Sequence, residues 1–180
     1  AVKEVWQHLG DLLEVRTIAF SPDGRFIAFS GIGEGSIRLW RTQDGKNIGA
    51  FRGHKLRVMA LAFSPDGRLL ASGSSEYAEI SGPRAKGEAY VRVWDVETRR
   101  EVARCVGLVS ISALCFSPDS TLLAVSGLSV AGSGPSGVRL YNARTGEFMR
   151  SFKTEFVSQA LAFSPDGRHL FGAANPMTVW

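Results

Sequence analysis

The side chains best able to do chemistry in this 180-residue chain are three histidines, two cysteines and 17 acidic residues. None of His8, His54 or His169 stands at ligand spacing to another histidine, cysteine or carboxylate, so a tetrahedral zinc site is not expected. Asp23, Asp66, Asp119 and Asp166 each sit in a Ser-Pro-Asp phrase, not in the Asp-x-Asp-x-Asp-Gly run that wraps calcium. Gly31-Ile-Gly33-Glu-Gly35 and Gly132-Ser-Gly134-Pro-Ser-Gly137 imitate phosphate loops, but each joins two extended runs. No helix N-terminus follows to supply the amides that hold a phosphate. There is no Gly-x-Ser-x-Gly elbow, although a triad assembled in space stays open at this level. Cys105 and Cys115 each lie within an apolar run and read as separate reduced thiols. The residues therefore predict no catalytic set, no metal and no cofactor.

The elements that carry these residues come in copies. Phe20-Ser-Pro-Asp-Gly24 recurs as Phe63-Ser-Pro-Asp-Gly67, Phe116-Ser-Pro-Asp-Ser120 and Phe163-Ser-Pro-Asp-Gly167, at spacings of 43, 53 and 47 residues. Serine bonds the local backbone, proline presets the second turn position and glycine accepts positive φ, so each phrase joins two apolar runs as a β-hairpin. A third strand then ends in an aromatic residue (Ser36 to Trp40, Tyr90 to Trp94, Gly137 to Tyr141, Met177 to Trp180). A polar turn and a fourth strand follow (Asn47 to Arg52, Glu101 to Val106, Phe148 to Lys153). Four short antiparallel strands per unit of about 45 residues, without helical periodicity, predict an all-β fold of propeller blades. The units are 14–52, 56–106, 109–153 and 157–180, the last with three strands; residues 1–10 are an outer strand with no unit of their own.

Just before each phrase the inner strand alternates small and large: Thr-Ile-Ala-Phe20, Ala-Leu-Ala-Phe63, Ala-Leu-Cys-Phe116 and Ala-Leu-Ala-Phe163. One face is bulky and the other nearly flat, as required if the bulky face of one sheet packs on the small face of a neighbour. Cys115 falls in the small slot and reads as a core residue. Charge is scattered, with a net of +4 at pH 7 and no basic stripe, so nucleic acid is not an expected partner. No apolar stretch approaches the roughly 20 residues that span a bilayer, and no membrane association is expected.

Trp94-Asp95, with Gly53-His54 opening the same unit, makes the chain resemble the WD-repeat family; Trp40-Arg41 and Tyr141-Asn142 are divergent counterparts. The resemblance runs over essentially the whole chain. It implies a structural histidine, His54, bonded to Ser72 and Trp94. The Asp that usually joins them is missing, and Glu76 is the nearest acid. Trp40, Tyr141 and Trp180 are the corresponding structural aromatics. In the other units Asp11, Gly107 and Thr154 replace His54, and Phe29, Val125 and Ala173 replace Ser72. The family uses a strand from one end of the chain to complete the blade at the other, which is the place residues 2–9 would take. That closure is expected between two chains, giving an eight-bladed homodimeric ring. A tight four-bladed ring and a piece of a longer propeller stay open.

The resemblance further implies a non-enzymatic scaffold, bacterial and cytoplasmic, that binds a protein or peptide through loops on one face. Length variation falls between second and third strands, chiefly in the segment from Ser74 to Glu88. The candidate partner-binding residues are Tyr77, Glu79, Ile80, Arg84 and Lys86 there, with Lys55, Arg57 and Phe156 in neighbouring turns. The rival reading is an enzyme or small-ligand binder at the central channel, where Arg16, Arg57 and Glu155 would contribute.

Overall fold

The computed structural model describes residues 15–31, 35–55, 57–74, 91–129, 137–154, 157–173 and 177–180. Among them every regular element is a strand, and the strands form four antiparallel sheets. The first contains β1 (Val15–Phe20), β2 (Phe26–Gly31), β3 (Ser36–Arg41) and β4 (Asn47–Arg52). The second contains β5 (Val58–Phe63), β6 (Leu69–Ser74), β7 (Val91–Asp95) and β8 (Glu101–Cys105). The third contains β9 (Leu108–Phe116), β10 (Leu122–Ser129), β11 (Gly137–Asn142) and β12 (Phe148–Lys153). The fourth has three strands, β13 (Ala160–Phe163), β14 (Leu170–Ala173) and β15 (Thr178–Val179). Each sheet is a meander, with chain neighbours paired, as hairpin turns between short strands dictate.

The Ser-Pro-Asp phrase closes its hairpin with side-chain bonds. Ser64 Oγ accepts the Leu69 amide proton at 2.9 Å and donates to Asp66 Oδ1 at 2.5 Å, while Oδ1 accepts the Arg68 amide at 3.1 Å. The same set recurs around Ser21, Ser117 and Ser164. The last turn position has φ of 69°, 72° and 70° at Gly24, Gly67 and Gly167. In the third copy Ser120 takes φ 63°, a conformation costing a non-glycine residue roughly 1–2 kcal/mol, and its hydroxyl accepts the Asp66 amide at 3.1 Å. That bond ties the second blade to the third.

The blades stack through their inner strands: β1 against β5, β5 against β9, β9 against β13. Large side chains of each blade meet small ones of the blade before it. Leu61, Phe63 and Leu70 share a cluster with Ala19 and Ala28; Leu114, Phe116 and Leu123 share one with Ala60, Ala62 and Ala71. Leu161, Phe163 and Leu170 share one with Cys115 and Ala124. Among the described residues β13 does not pack against β1 in this way. In a tight four-bladed ring those two strands would stack; Ile18 and Phe20 on β1 are instead exposed.

Substituting the fully buried Ser64 by alanine leaves the Leu69 amide without its partner and frees the Asp66 carboxylate, and is expected to cost about 1–3 kcal/mol. A lowered urea midpoint reports it, and an unchanged midpoint contradicts this account of the turn. The serine hydroxyls of these turns hold the Asp23, Asp119 and Asp166 carboxyls below their ordinary value. At Asp66 partial burial pulls upward, and the bonds from Ser64 and Arg68 outweigh it. Depressed carboxyl values mean that this stabilisation is complete above the ordinary value of 3.8 and is lost as pH falls below it. Thermal midpoints should therefore drop on acidification below that point, and by less in Asp119→Asn.

Candidate interaction site

Of the residues singled out by sequence, His54, Ser72 and Trp94 meet where the chain returns from the outer strand of the first blade to the inner strand of the second. Ser72, on β6, is fully buried; its Oγ lies 2.7 Å from His54 Nε2 and accepts the Trp94 indole proton at 2.8 Å. Burial, with the Arg92 charge adding, lowers the His54 pKa to about 4, so the imidazole is neutral at pH 7. A neutral ring lets Nε2 accept from Ser72 and leaves no cation in the core. Trp94 in turn packs on Phe51 of β4, with ring centroids 5.8 Å apart.

An acid does stand near this cluster, on the outer strand. Glu101 bonds to both Arg92 and Arg104, and Arg92 also lies over the Trp94 ring at 6.0 Å. Partial burial would raise the Glu101 carboxyl, but the two guanidinium bonds hold it below its ordinary value. Gly53 makes room for the arrangement, since a Cβ there would come within 2.9 Å of the Arg92 guanidinium and 3.0 Å of the Trp94 ring. Arg92 and Glu101 escaped the motif reading, although the signal was present. Ile37-Arg38-Leu39-Trp40, Val91-Arg92-Val93-Trp94 and Val138-Arg139-Leu140-Tyr141 place an arginine two residues before each aromatic.

The remaining structural aromatics fill the same position without the histidine. Trp40 sits edge-on to Phe29 at 4.7 Å. Tyr141 donates its hydroxyl to the Val106 carbonyl at 2.7 Å, and burial pushes that hydroxyl up to about 12. Trp180 packs on Phe152 at 5.3 Å. In the fourth blade the residue aligned with Ser72 is Gly172, not Ala173. Phe163 pairs with Leu170 and Leu161 with Gly172, as Phe63 pairs with Leu70 and Leu61 with Ser72. Any Cβ at position 172 would lie 2.8 Å from the Trp180 ring, which is why glycine stands there.

Lys55 and Arg57 are exposed on the return beside His54, whereas Tyr77, Glu79, Ile80, Arg84, Lys86 and Phe156 lie outside the described residues. So do Glu76, Glu155 and the proposed closing strand, residues 1–10. A groove of about 450 Å³ opens next to His54, lined among others by Ser36, Arg38, Asn47 and Arg52. A second cavity of about 370 Å³ marks the channel end of the inner strands, where Arg16, Met59, Ser112 and Gln159 stand at equivalent positions four residues before each phrase. Cys105 and Cys115 are free thiols that burial pushes up to about 12, so neither is a thiolate nucleophile at neutral pH. Among the described residues no group of three or more His, Cys, Asp or Glu side chains could hold a metal ion.

Removing the Ser72 hydroxyl leaves the Trp94 N–H unpaired in the core, and Ser72→Ala should destabilise the fold by about 1–3 kcal/mol in urea titrations. The depressed His54 value adds a pH dependence. Its contribution is complete above 6.5 and is lost as pH falls through about 4, reaching roughly 3 kcal/mol at most. A urea midpoint that falls between pH 7 and pH 5, and falls less in His54→Gln, is the expected result; equal slopes in both proteins count against it.

The fold has solved parallels. The crystal structure of the computationally designed Ika4 protein is similar over 100% of this chain and 97% of that one, with a TM-score of 0.74 and 21% identity. Hydrazine synthase from Kuenenia stuttgartiensis is similar over 96% of this chain and 45% of that one, with a TM-score of 0.70 and 21% identity. At such identities the likeness speaks for the fold alone. No curated protein sequence matches significantly. The family model described as "WD domain, G-beta repeat" matches residues 3–41, 45–95 and 104–141. Its second match runs from the turn before β4 through β5 and β6 to the end of β7, so the repeat is offset by one strand from the sheet. Phrase, blade and offset agree, and the chain belongs to the WD40 repeat family, whose members generally mediate protein–protein interaction and are typically non-enzymatic.

Proposed function

We propose that this chain is a non-enzymatic interaction scaffold that offers one edge of its blades to an acidic protein or peptide segment. The observation that carries this reading is the groove beside His54. Arg38 and Arg52 line it with Ser36 and Asn47, and exposed Lys55 and Arg57 follow on the next return. Charge of one sign in a concave surface attracts and orients a segment of the opposite sign. The inserted segment with Tyr77, Glu79, Ile80, Arg84 and Lys86, together with Phe156, belongs to the same reading on the strength of its sequence. A peptide-display selection tests it. The native chain should enrich Asp- and Glu-rich peptides whose affinity falls with salt, and Arg38→Glu with Arg52→Glu should weaken them tenfold or more. Peptides that bind both forms equally overturn the groove as the site.

A second copy of the chain is also proposed as a partner, in a homodimer. The exposure of Ile18 and Phe20 on β1 supports it. So does the family match that begins at residue 3, ahead of β1, as the second match begins at residue 45, ahead of β4. A strand ahead of β1 would complete the three-stranded fourth blade of the other copy. Light scattering should return twice the 19.5 kDa of one chain, and a single-chain mass overturns the dimer. A cytoplasmic setting is proposed too, supported by two cysteines that stay separate free thiols, and a bacterial one by the regular Arg- and Gly-rich phrases.

A further inference from the structure

The three junctions within the chain obey one rule of shape and direction. At each, the Leu and Phe of an inner strand lie on the small residues of the preceding blade: Leu61 and Phe63 toward Ala19, Leu114 and Phe116 toward Ala60 and Ala62, Leu161 and Phe163 toward Cys115. The third-strand aromatic of the later blade reaches the outer strand of the earlier one or the residue just after it, as Trp94 does at Phe51, Tyr141 at Val106 and Trp180 at Phe152. Covered in this way, Phe63 and Phe116 are only 9% and 7% exposed.

The two ends of the row carry the unmatched halves of that junction. On the first blade Ile18 and Phe20, the equivalents of Leu61 and Phe63, are 54% and 59% exposed. On the fourth blade Ala160 and Ala162 are exposed, but the place held by Ala28, Ala71 and Ala124 in the earlier blades is taken by Phe171, which is 38% exposed beside Met177 and Val179 at 69% and 47%. Apolar faces of this kind on a soluble sheet mark a contact surface. Two inner strands that both present Ile and Phe would clash, and two that both present Ala would leave voids, so the unlike inner strands fit each other, with Phe171 adding apolar surface at the side of the contact.

We propose that the Ile18–Phe20 face of one chain seats on the Ala160–Ala162 face of a second copy, and reciprocally, so that two chains close a ring through two identical head-to-tail junctions. The proposal rests on the homodimer reading above and names the surfaces that make it. Two copies give eight blades, within the range of four to eight typical of propellers, whereas three would give twelve. Two-fold closure also leaves neither face bare, which an open filament of the same contact would.

Phe20→Asp and Ala162→Trp test it from opposite ends, and both positions are exposed in the single chain, so neither substitution enters a blade's own core. Circular dichroism should show unchanged strand content in both. Sedimentation should show the native chain at twice 19.5 kDa, and each variant shifted toward the single-chain mass with a dissociation constant raised roughly thirtyfold or more. An equimolar mixture should recover part of the two-chain species, because Phe20→Asp keeps a sound Ala162 face and Ala162→Trp a sound Phe20 face. Loss of the dimer in Phe20→Asp alone points to head-to-head pairing and overturns the proposal. If both variants stay two-chain like the native protein, these faces are wrong while the homodimer stands. A native chain of single-chain mass removes both, and masses rising with concentration beyond two chains overturn the closed ring.

Discussion

Every blade of this protein has two apolar faces, and a sheet cannot leave both to water, so the stacking of a bulky face on a flat one governs the rest of the architecture. The constraint is written into the inner strands, where period-two alternation sends Leu and Phe to one side and Ala or Cys to the other. Each junction combines a protrusion and a recess. The stack therefore has a direction, and it cannot end without presenting one unmatched surface of each kind. Ile18 and Phe20 at one end, and Ala160 and Ala162 at the other, are the consequence of a rule that the interior obeys three times.

Apolar packing sets the direction, and polar groups make the individual junctions different. His54, Ser72 and Trp94 join the first blade to the second through a neutral buried imidazole. The next junction uses the Tyr141 hydroxyl on the Val106 carbonyl and the Ser120 hydroxyl on the Asp66 amide. Between the third and fourth blades Ser126 accepts the Ser158 amide at 2.9 Å, while Ser112 donates to the Ser158 carbonyl at 2.7 Å. A buried polar group is costly when unpaired, so distinct ties at otherwise similar junctions discriminate against blades meeting in the wrong order.

These ties also account for the side chains that look most chemical. The histidine is desolvated and bonded, the two thiols are buried and protonated, and the phrase carboxylates are occupied by their own turns. What remains for recognition is charge and shape at the edges: the groove between Arg38 and Arg52, and the apolar faces at the ends of the row.

Much of this was readable in one dimension because the signals are local. Turn chemistry at Ser64 to Gly67, strict alternation before each Phe and the aromatic closing each third strand involve neighbours in sequence, and hairpins need nothing more distant. The His54–Ser72–Trp94 meeting was legible through resemblance, because His54 and Ser72 sit at repeating offsets from Phe63 and Trp94 closes the third strand. Gly172 follows Phe163 by the same count as Ser72 follows Phe63, so the sequence alone aligns the two, and the pairing register agrees; Ala173 is one residue off, and a one-residue slip reverses the face of a strand. The grip of Arg92 and Arg104 on Glu101, the direction of the stack and the bareness of Phe20 belong to the folded molecule. They depend on which sheet comes to lie against which. Four equivalent inner strands with the same alternation leave that open until the blades are set side by side in space.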